Sequence, residues 1–376
     1  MRLLVVVGTR PQLIKAAALL PALRRDHDVR FVDTGQHYDE GMAGSFFGEL
    51  DLPRPDHTLE VAGGSVADQV ARMLLALEPL LIAEAPEAVV VIGDTNSTFA
   101  GAMAAATLGI PVAHVEAGLR SHDRRMPEEL NRILTDHLSS LCFAPTPTAV
   151  ANLATEGIRD GVLQVGDLMQ DLAARVSDGV RDPAELDRVA ARPGWDAPAP
   201  RQGRYLFATV HRAENREIDA VRAWSALLGD AASGERPVLL ALHPGTRNVM
   251  ERLGAALPPN VHAVPPQGYR TTLALQLHAA AVLTDSGGVQ REAAWLGTPC
   301  LVLRGTTEWV ELLAGEGGRM VMVGLDRDLA TQALARLAPL DRAAEDARRR
   351  AQTVRVESPR AAEAINEALI RGVRGR

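Results

Sequence analysis

The chain is 376 residues long, 47% hydrophobic and 23% charged, which excludes a miniprotein or a disordered chain and points to two domains rather than one core. Its net charge is −7 and its arginines are scattered among carboxylates, so it carries no footprint for nucleic acid, and any polyanion it holds should be small. Of 40 basic residues only Lys15 is a lysine, and Cys142 and Cys300 lie far apart in apolar runs, as expected for buried thiols of a cytoplasmic protein. No apolar stretch has the length of a membrane span, and the N-terminal Leu3-Leu4-Val5-Val6-Val7 run reads as a first strand rather than a leader.

In chain order, short apolar runs alternate with longer amphipathic stretches. Strands are predicted at 3–7, 30–33, 88–92, 112–115, 141–143 and 162–165, with helices beginning near Pro11, Asp39, Val66, Ser97, Pro127 and Thr148. The unbroken apolar run Ala88 to Ile92 suits a strand buried on both faces of a parallel sheet. From Ala173 to Gly203 the pattern lapses, and the Pro-rich stretch 192–200 cannot be a regular element. The rhythm then restarts, with strands predicted at 204–210, 238–242, 261–264, 281–284, 300–303 and 320–323. The last stretch, 359–371, reads as an amphipathic helix. The expected fold is α/β, with two similar doubly wound units.

Ligands of such sheets bind beyond the carboxyl ends of the strands, so the residues after each strand matter most. Gly8-Thr9-Arg10-Pro11 follows the first, and helix amides with Arg10 and Lys15 make an anion site there, or else only a turn with solvated cations. Asp94 follows the third strand, as a site carboxylate or as a helix cap, and Glu116 stands at the tip of the fourth. Glu128 and Glu129 open a helix, where carboxylates also simply suit the dipole. In the second half, His211, His243 and Asp285-Ser286-Gly287-Gly288 end strands; the Ser-Gly-Gly turn lets a phosphate approach the backbone, and Glu292 one turn on is placed for a ribose diol. His114 and Glu116 lack a third metal ligand, no zinc or hydrolase motif occurs, and Gly-x-Gly-x-x-Gly is absent.

Taken together, Gly8-Thr9-Arg10-Pro11, Thr34-Gly35-Gln36-His37, Gly93-Asp94-Thr95, His114-Val115-Glu116-Ala117-Gly118-Leu119-Arg120, Pro127-Glu128-Glu129-x-Asn131-Arg132, His211-Arg212-x-Glu214-Asn215 and Asp285-Ser286-Gly287-Gly288-x-Gln290-x-Glu292 resemble the non-hydrolysing UDP-N-acetylglucosamine 2-epimerases, in order along nearly the whole chain. The resemblance implies a GT-B fold, with two Rossmann-like doubly wound parallel-sheet domains facing a central cleft. It implies a first domain over 1–168 completed by a helix at 357–376, a UDP-binding domain over 169–356, and a cytoplasmic homodimer. It implies interconversion of UDP-GlcNAc and UDP-ManNAc by anti elimination of UDP, through 2-acetamidoglucal, with no metal or other cofactor. Asp94, Glu116 and Glu128 become acid-base carboxylates, and His211 serves the leaving group. Arg10, Lys15, Arg132, His243, Ser286, Gly287, Gly288 and Glu292 become substrate contacts.

Gln12, where many members have Glu, also occurs in branches resembling 2,3-diacetamido uronic acid epimerases, whereas Leu119 stands where those branches tend to carry Asn. UDP-GlcNAc is the expected substrate, with the UDP-diacetamido uronic acid or a hydrolysing reaction as alternatives. The loop Tyr38-Asp39-Glu40-Gly41-Met42 departs from the pattern tied to activation by a second UDP-GlcNAc, so weak or absent allostery is expected. The stretch 304–311 also departs from the common Thr-Thr-Glu-Arg-Pro-Glu.

Overall fold

The computed structural model describes residues 1–36, 50, 52–242, 244–265, 267–307, 309–313, 319–336 and 361–372. His37, the loop 38–42, the helix expected near Asp39 and His243 lie outside the described residues. The chain forms two compact units, Met1–Leu172 with Ser358–Arg376, and Ala173–Glu357.

The first unit holds β1 (Arg2–Val7), β2 (Asp28–Asp33), β3 (His57–Thr58), β4 (Ala88–Ile92), β5 (Val112–Val115), β6 (Leu141–Ala144) and β7 (Val162–Gln164). They form one sheet in the order β3-β2-β1-β4-β5-β6-β7, with every ladder parallel. All five residues of β4 are buried, as its unbroken apolar run requires of a strand covered on both faces. The two-residue edge strand β3 was not anticipated, being too short to carry a periodic signal.

The second unit holds β8 (Leu206–Val210), β9 (Val238–Leu242), β10 (Val261–Val264), β11 (Ala281–Thr284), β12 (Cys300–Val302) and β13 (Met320–Met322), ordered β10-β9-β8-β11-β12-β13 and again wholly parallel. Alternation along β8 divides its core: Leu206, Ala208 and Val210 pack with Trp224 and Leu228 on one face, while Phe207 joins Tyr205 and Leu275 on the other. Helices therefore cover both faces. The Pro-rich stretch 192–200 forms no helix or strand.

In each unit the winding reverses beside the first strand, between β1 and β4 and between β8 and β11. The carboxyl ends of those four strands are the switch points at which such sheets bind ligands. Near the end of the chain, the helix Ala361–Gly372 packs on the helix Arg10–Asp26 of the first unit. Ile365 and Leu369 are fully buried there, Asn366 donates to Asp26 at 2.7 Å, and Arg25 pairs with Glu363 at 2.7 Å. Among the described residues no helix is long and apolar enough to cross a membrane.

Candidate active site

At the switch point of the first unit, β1 runs through Gly8 into the helix Arg10–Asp26. A Cβ on Gly8 would stand 2.0 Å from Thr34 Oγ1 and 2.1 Å from Ser97 Oγ, so glycine lets the ends of β1 and β2 meet the first turn of the helix Asn96–Thr107. Gln12, buried in the first turn, accepts from the Gly8 amide at 2.8 Å and donates to the Ile92 carbonyl at 2.6 Å and to Thr98 Oγ1 at 2.9 Å. It clamps β1 to β4, and this account of Gln12 needs no substrate. Glutamate there would aim a lone pair at the Ile92 carbonyl. Gln12→Glu is expected to cost about 1–3 kcal/mol, read as a lower thermal midpoint near neutral pH that recovers in part where the carboxyl is protonated.

Lys15 lies one turn further along this helix and is buried. Its ammonium contacts the carboxylate of Glu116. Glu116 is itself buried and sits just past β5 at φ +70°, a left-handed conformation that few non-glycine residues adopt and that recurs at functional sites. Gly93, past β4, faces the pair: a Cβ there would lie 3.4 Å from Lys15 Nζ and 3.5 Å from Glu116 Oε2. A guanidinium is broader than an ammonium and differently hydrated, so Lys15→Arg is expected to lower kcat about tenfold or more, measured by steady-state turnover.

Asp94 is not the cap of the helix Asn96–Thr107; Thr95 is, accepting from the Thr98 amide at 3.3 Å. The Asp94 carboxylate instead contacts Arg132. Arg132 also donates to Glu129 at 2.7 Å. Glu129 is buried and binds the Ser121 and His122 amides at 2.8 and 2.9 Å, so it ties a loop to its helix rather than merely meeting a dipole. Glu128, its half-buried neighbour, makes no hydrogen bond or ion pair among the described residues. Arg10, also half-buried, opens the first helix. The first unit thus brings Lys15 to Glu116 and Arg132 to Asp94.

In the second unit the switch point is organised by Asp285, which is fully buried at the end of β11. It accepts from the His211 and Arg212 amides at 3.0 and 2.9 Å, from Asn215 Nδ2 at 2.9 Å, and faces His211 Nδ1 at 3.2 Å. Burial alone would raise its carboxyl, but the hydrogen bond and charge of His211, with Asn215 and the Arg212 amide, hold it below the usual range. Ser286 caps the helix Gly287–Leu296, and a Cβ on Gly288 would meet nothing closer than Ser286 Oγ at 3.8 Å, which leaves room for a ligand against these amides. Glu292 accepts from Gln276 Nε2 at 2.5 Å. Trp309, within the stretch 304–311, carries the Arg291 guanidinium 4.1 Å from its ring centre.

Sequence reading missed Asp136, which accepts from His114 and Arg120 at 2.7 Å and is fully buried. Its position four residues after Arg132, on the same helical face, was the available signal. Burial would raise its carboxyl, but His114 and Arg120 hold it low. Asp136 and Asp285 are depressed in the folded state, so their stabilisation is present above about pH 4 and lost as pH falls through their folded values. Circular dichroism should show cooperative unfolding in that acid range. Among the described residues no cluster of three groups could hold a metal, and both cysteines are free and buried, their thiols pushed up to about 12 by burial.

Two doubly wound parallel sheets define the GT-B class of folds, and the likeness extends to the glycosyltransferase SnogD of Streptomyces nogalater at TM-score 0.54 and 18% identity, covering 99% of each chain. The family model for UDP-N-acetylglucosamine 2-epimerase matches residues 21–369, and the chain belongs to that family. It is 42% identical over 339 residues, 88% of this chain and 91% of the relative, to the UDP-2,3-diacetamido-2,3-dideoxy-D-glucuronate 2-epimerase of Pseudomonas aeruginosa. It is 38% identical to the UDP-N-acetylglucosamine 2-epimerase of Methanocaldococcus jannaschii, covering 89% of this chain and 91% of that one. The crystal structure of the Methanocaldococcus jannaschii UDP-GlcNAc 2-epimerase in complex with UDP-GlcNAc and UDP superposes at TM-score 0.83 with 34% identity, covering 99% of this chain and all 100% of that one.

Proposed function

We propose that the protein inverts C2 of UDP-GlcNAc to give UDP-ManNAc without hydrolysis. The observation that carries this reading is Glu116, a buried carboxylate at a strand tip in a left-handed conformation, seated against Lys15. A hydrogen at C2 has no adjacent carbonyl to acidify it, so the reaction needs a placed base and a stabilised leaving group. Glu116 or Asp94 takes the C2 proton; the C2–H electron pair forms the C1=C2 bond, and the C1–O bond breaks with its pair leaving on UDP. UDP then adds back to 2-acetamidoglucal as a proton returns to C2 from the opposite face, Glu128 being the third acid-base group.

His211 serves the diphosphate oxygen, and the turn Ser286-Gly287-Gly288 with Arg10 holds phosphate. Glu292 takes the ribose diol, while Arg132, Lys15 and His243 line the sugar and phosphate contacts. In this assignment 1–168 with 357–376 carries the proton chemistry and 169–356 the UDP. Residues Leu75, Ile82, Leu130 and Leu134, 74%, 64%, 45% and 47% exposed on two helices of the first unit, support a homodimer, to be read by light scattering. The buried thiols support a cytoplasmic setting.

A second reading, epimerisation of a UDP-2,3-diacetamido uronic acid, is favoured by the 42% identical relative from Pseudomonas aeruginosa. Both nucleotide sugars should be incubated with the protein in heavy water and C2 followed by NMR. Deuterium at C2 in both epimers of UDP-GlcNAc is the expected result. Exchange confined to the uronate moves the assignment to the second reading, and release of free sugar overturns the non-hydrolysing mechanism.

A further inference from the structure

The first unit contains a fully buried chain of polar groups running between its two strand-tip carboxylates, which the reaction as written does not use. His114, at the end of β5 with no exposed surface, places Nε2 2.7 Å from the Gly93 carbonyl and Nδ1 2.7 Å from Asp136 Oδ1. A carbonyl oxygen only accepts, so Nε2–H donates to it, and Asp136 Oδ1 accepts a hydrogen bond from Nδ1–H. The other oxygen of Asp136 accepts from the Gly118 amide at 3.1 Å and from Arg120 at 2.7 Å, and Arg120 also pairs with Glu156 at 2.6 Å.

The two ends of this chain are the two catalytic loops. Gly93 immediately precedes Asp94, and Gly118 lies two residues beyond Glu116. Gly93, Glu116 and Gly118 have φ of +72°, +70° and +80°; the glycines adopt this conformation freely, whereas at Glu116 the surroundings must enforce it. A Cβ on Gly118 would collide with the Ala149 carbonyl at 2.3 Å, which closes one side of its loop; Asp136 holds the amide on the other. We propose that His114 is a positioning residue that sets the distance between the Asp94 and Glu116 carboxylates, by holding the Gly93 carbonyl directly and the Gly118 amide through Asp136. This rests on the epimerase reading, in which proton transfer on both faces of one carbon needs two carboxylates in fixed register.

Two variants each retain one donor: His114→Gln reaches toward the Gly93 carbonyl and His114→Asn toward Asp136. Each is expected to lower kcat about 10- to 100-fold, as a carboxylate displaced by about 1 Å requires, with KM for UDP-GlcNAc and Kd for UDP changed less than about threefold. Each should also release 2-acetamidoglucal and UDP, since the intermediate waits for a misplaced proton. Leu77→Ala, a cavity in the same unit's core, should lower the melting temperature without that leak. On the wild-type protein, 15N-histidine NMR should show one imidazole with both N–H protons protected from exchange. Turnover within threefold of wild type in both His114 variants overturns the proposal, as does an equal kcat loss and leak in Leu77→Ala, or the absence of the doubly protonated ring. A wild-type enzyme that places no deuterium at C2 of either nucleotide sugar removes the epimerase reading, and the proposal with it.

Discussion

Glu116→Gln is expected to lower kcat about 10²- to 10⁴-fold, the span that a placed general acid or base contributes. The same change strands the Lys15 ammonium, whose side chain is 10% exposed, beside a neutral amide. Removing one partner of a buried pair costs about 3–5 kcal/mol, so loss of activity alone does not separate chemistry from folding. The pair Glu116→Gln with Lys15→Met, read against Lys15→Met alone, does. The double variant should recover most of the melting temperature lost by the single one and recover none of the turnover. Near-normal turnover in Glu116→Gln would remove Glu116 from the reaction and leave it a structural ion pair.

The second large effect is expected from Asp285→Asn. Asp285 has no exposed surface and receives donors from the His211 and Arg212 amides, from Asn215, and from the His211 ring. An asparagine turns one of its two acceptor oxygens into a donor facing other donors. The cost should be about 3 kcal/mol, or a fall of roughly 6–12 °C in the melting of the second unit. UDP binding should weaken as well, because the His211 ring loses the carboxylate that orients it. The acid limb of the stability curve should flatten, since the depressed Asp285 carboxyl no longer contributes protons to unfolding below about pH 4. A variant that melts and binds UDP like the parent would show that the four contacts are replaceable.

The architecture was legible because a strand buried on both faces leaves an unmistakable trace: Ala88 to Ile92 is five apolar residues in a row, and β4 spans those five. Helix starts near Val66 and Pro127 were equally plain, the first following Ser65 and the second opening on a proline. Strand ends also showed where to look for polar groups, because turn residues mark them. What the sequence hid was who pairs with whom. Lys15 is expected from its place in the first turn to meet an anion, and the sequence does not show that its ion pair is with Glu116, 101 positions away. Gln12 joins a turn amide to the end of β4, partners that its place in the sequence does not name. Glu129 carried a plausible helix-dipole explanation that its burial and its bonds to Ser121 and His122 replace. Asp136 carried only the weak signal of its spacing from Arg132, and its partners come from β5 and the loop beyond it. Long-range partners are fixed by topology, and composition and periodicity do not encode them.

The helix Ala361–Gly372 has a consequence for how the chain is made. The second unit, Ala173–Glu357, is contiguous, so it can complete its sheet as soon as its own residues have left the ribosome. The first unit cannot. Its opening helix waits, with the surface that Ile365 and Leu369 will cover left bare, until nearly the whole chain has been synthesised. A nascent chain stalled after the second unit would therefore present a finished second unit and an unfinished first one, and chaperones that hold exposed apolar helices should engage the half that was translated first.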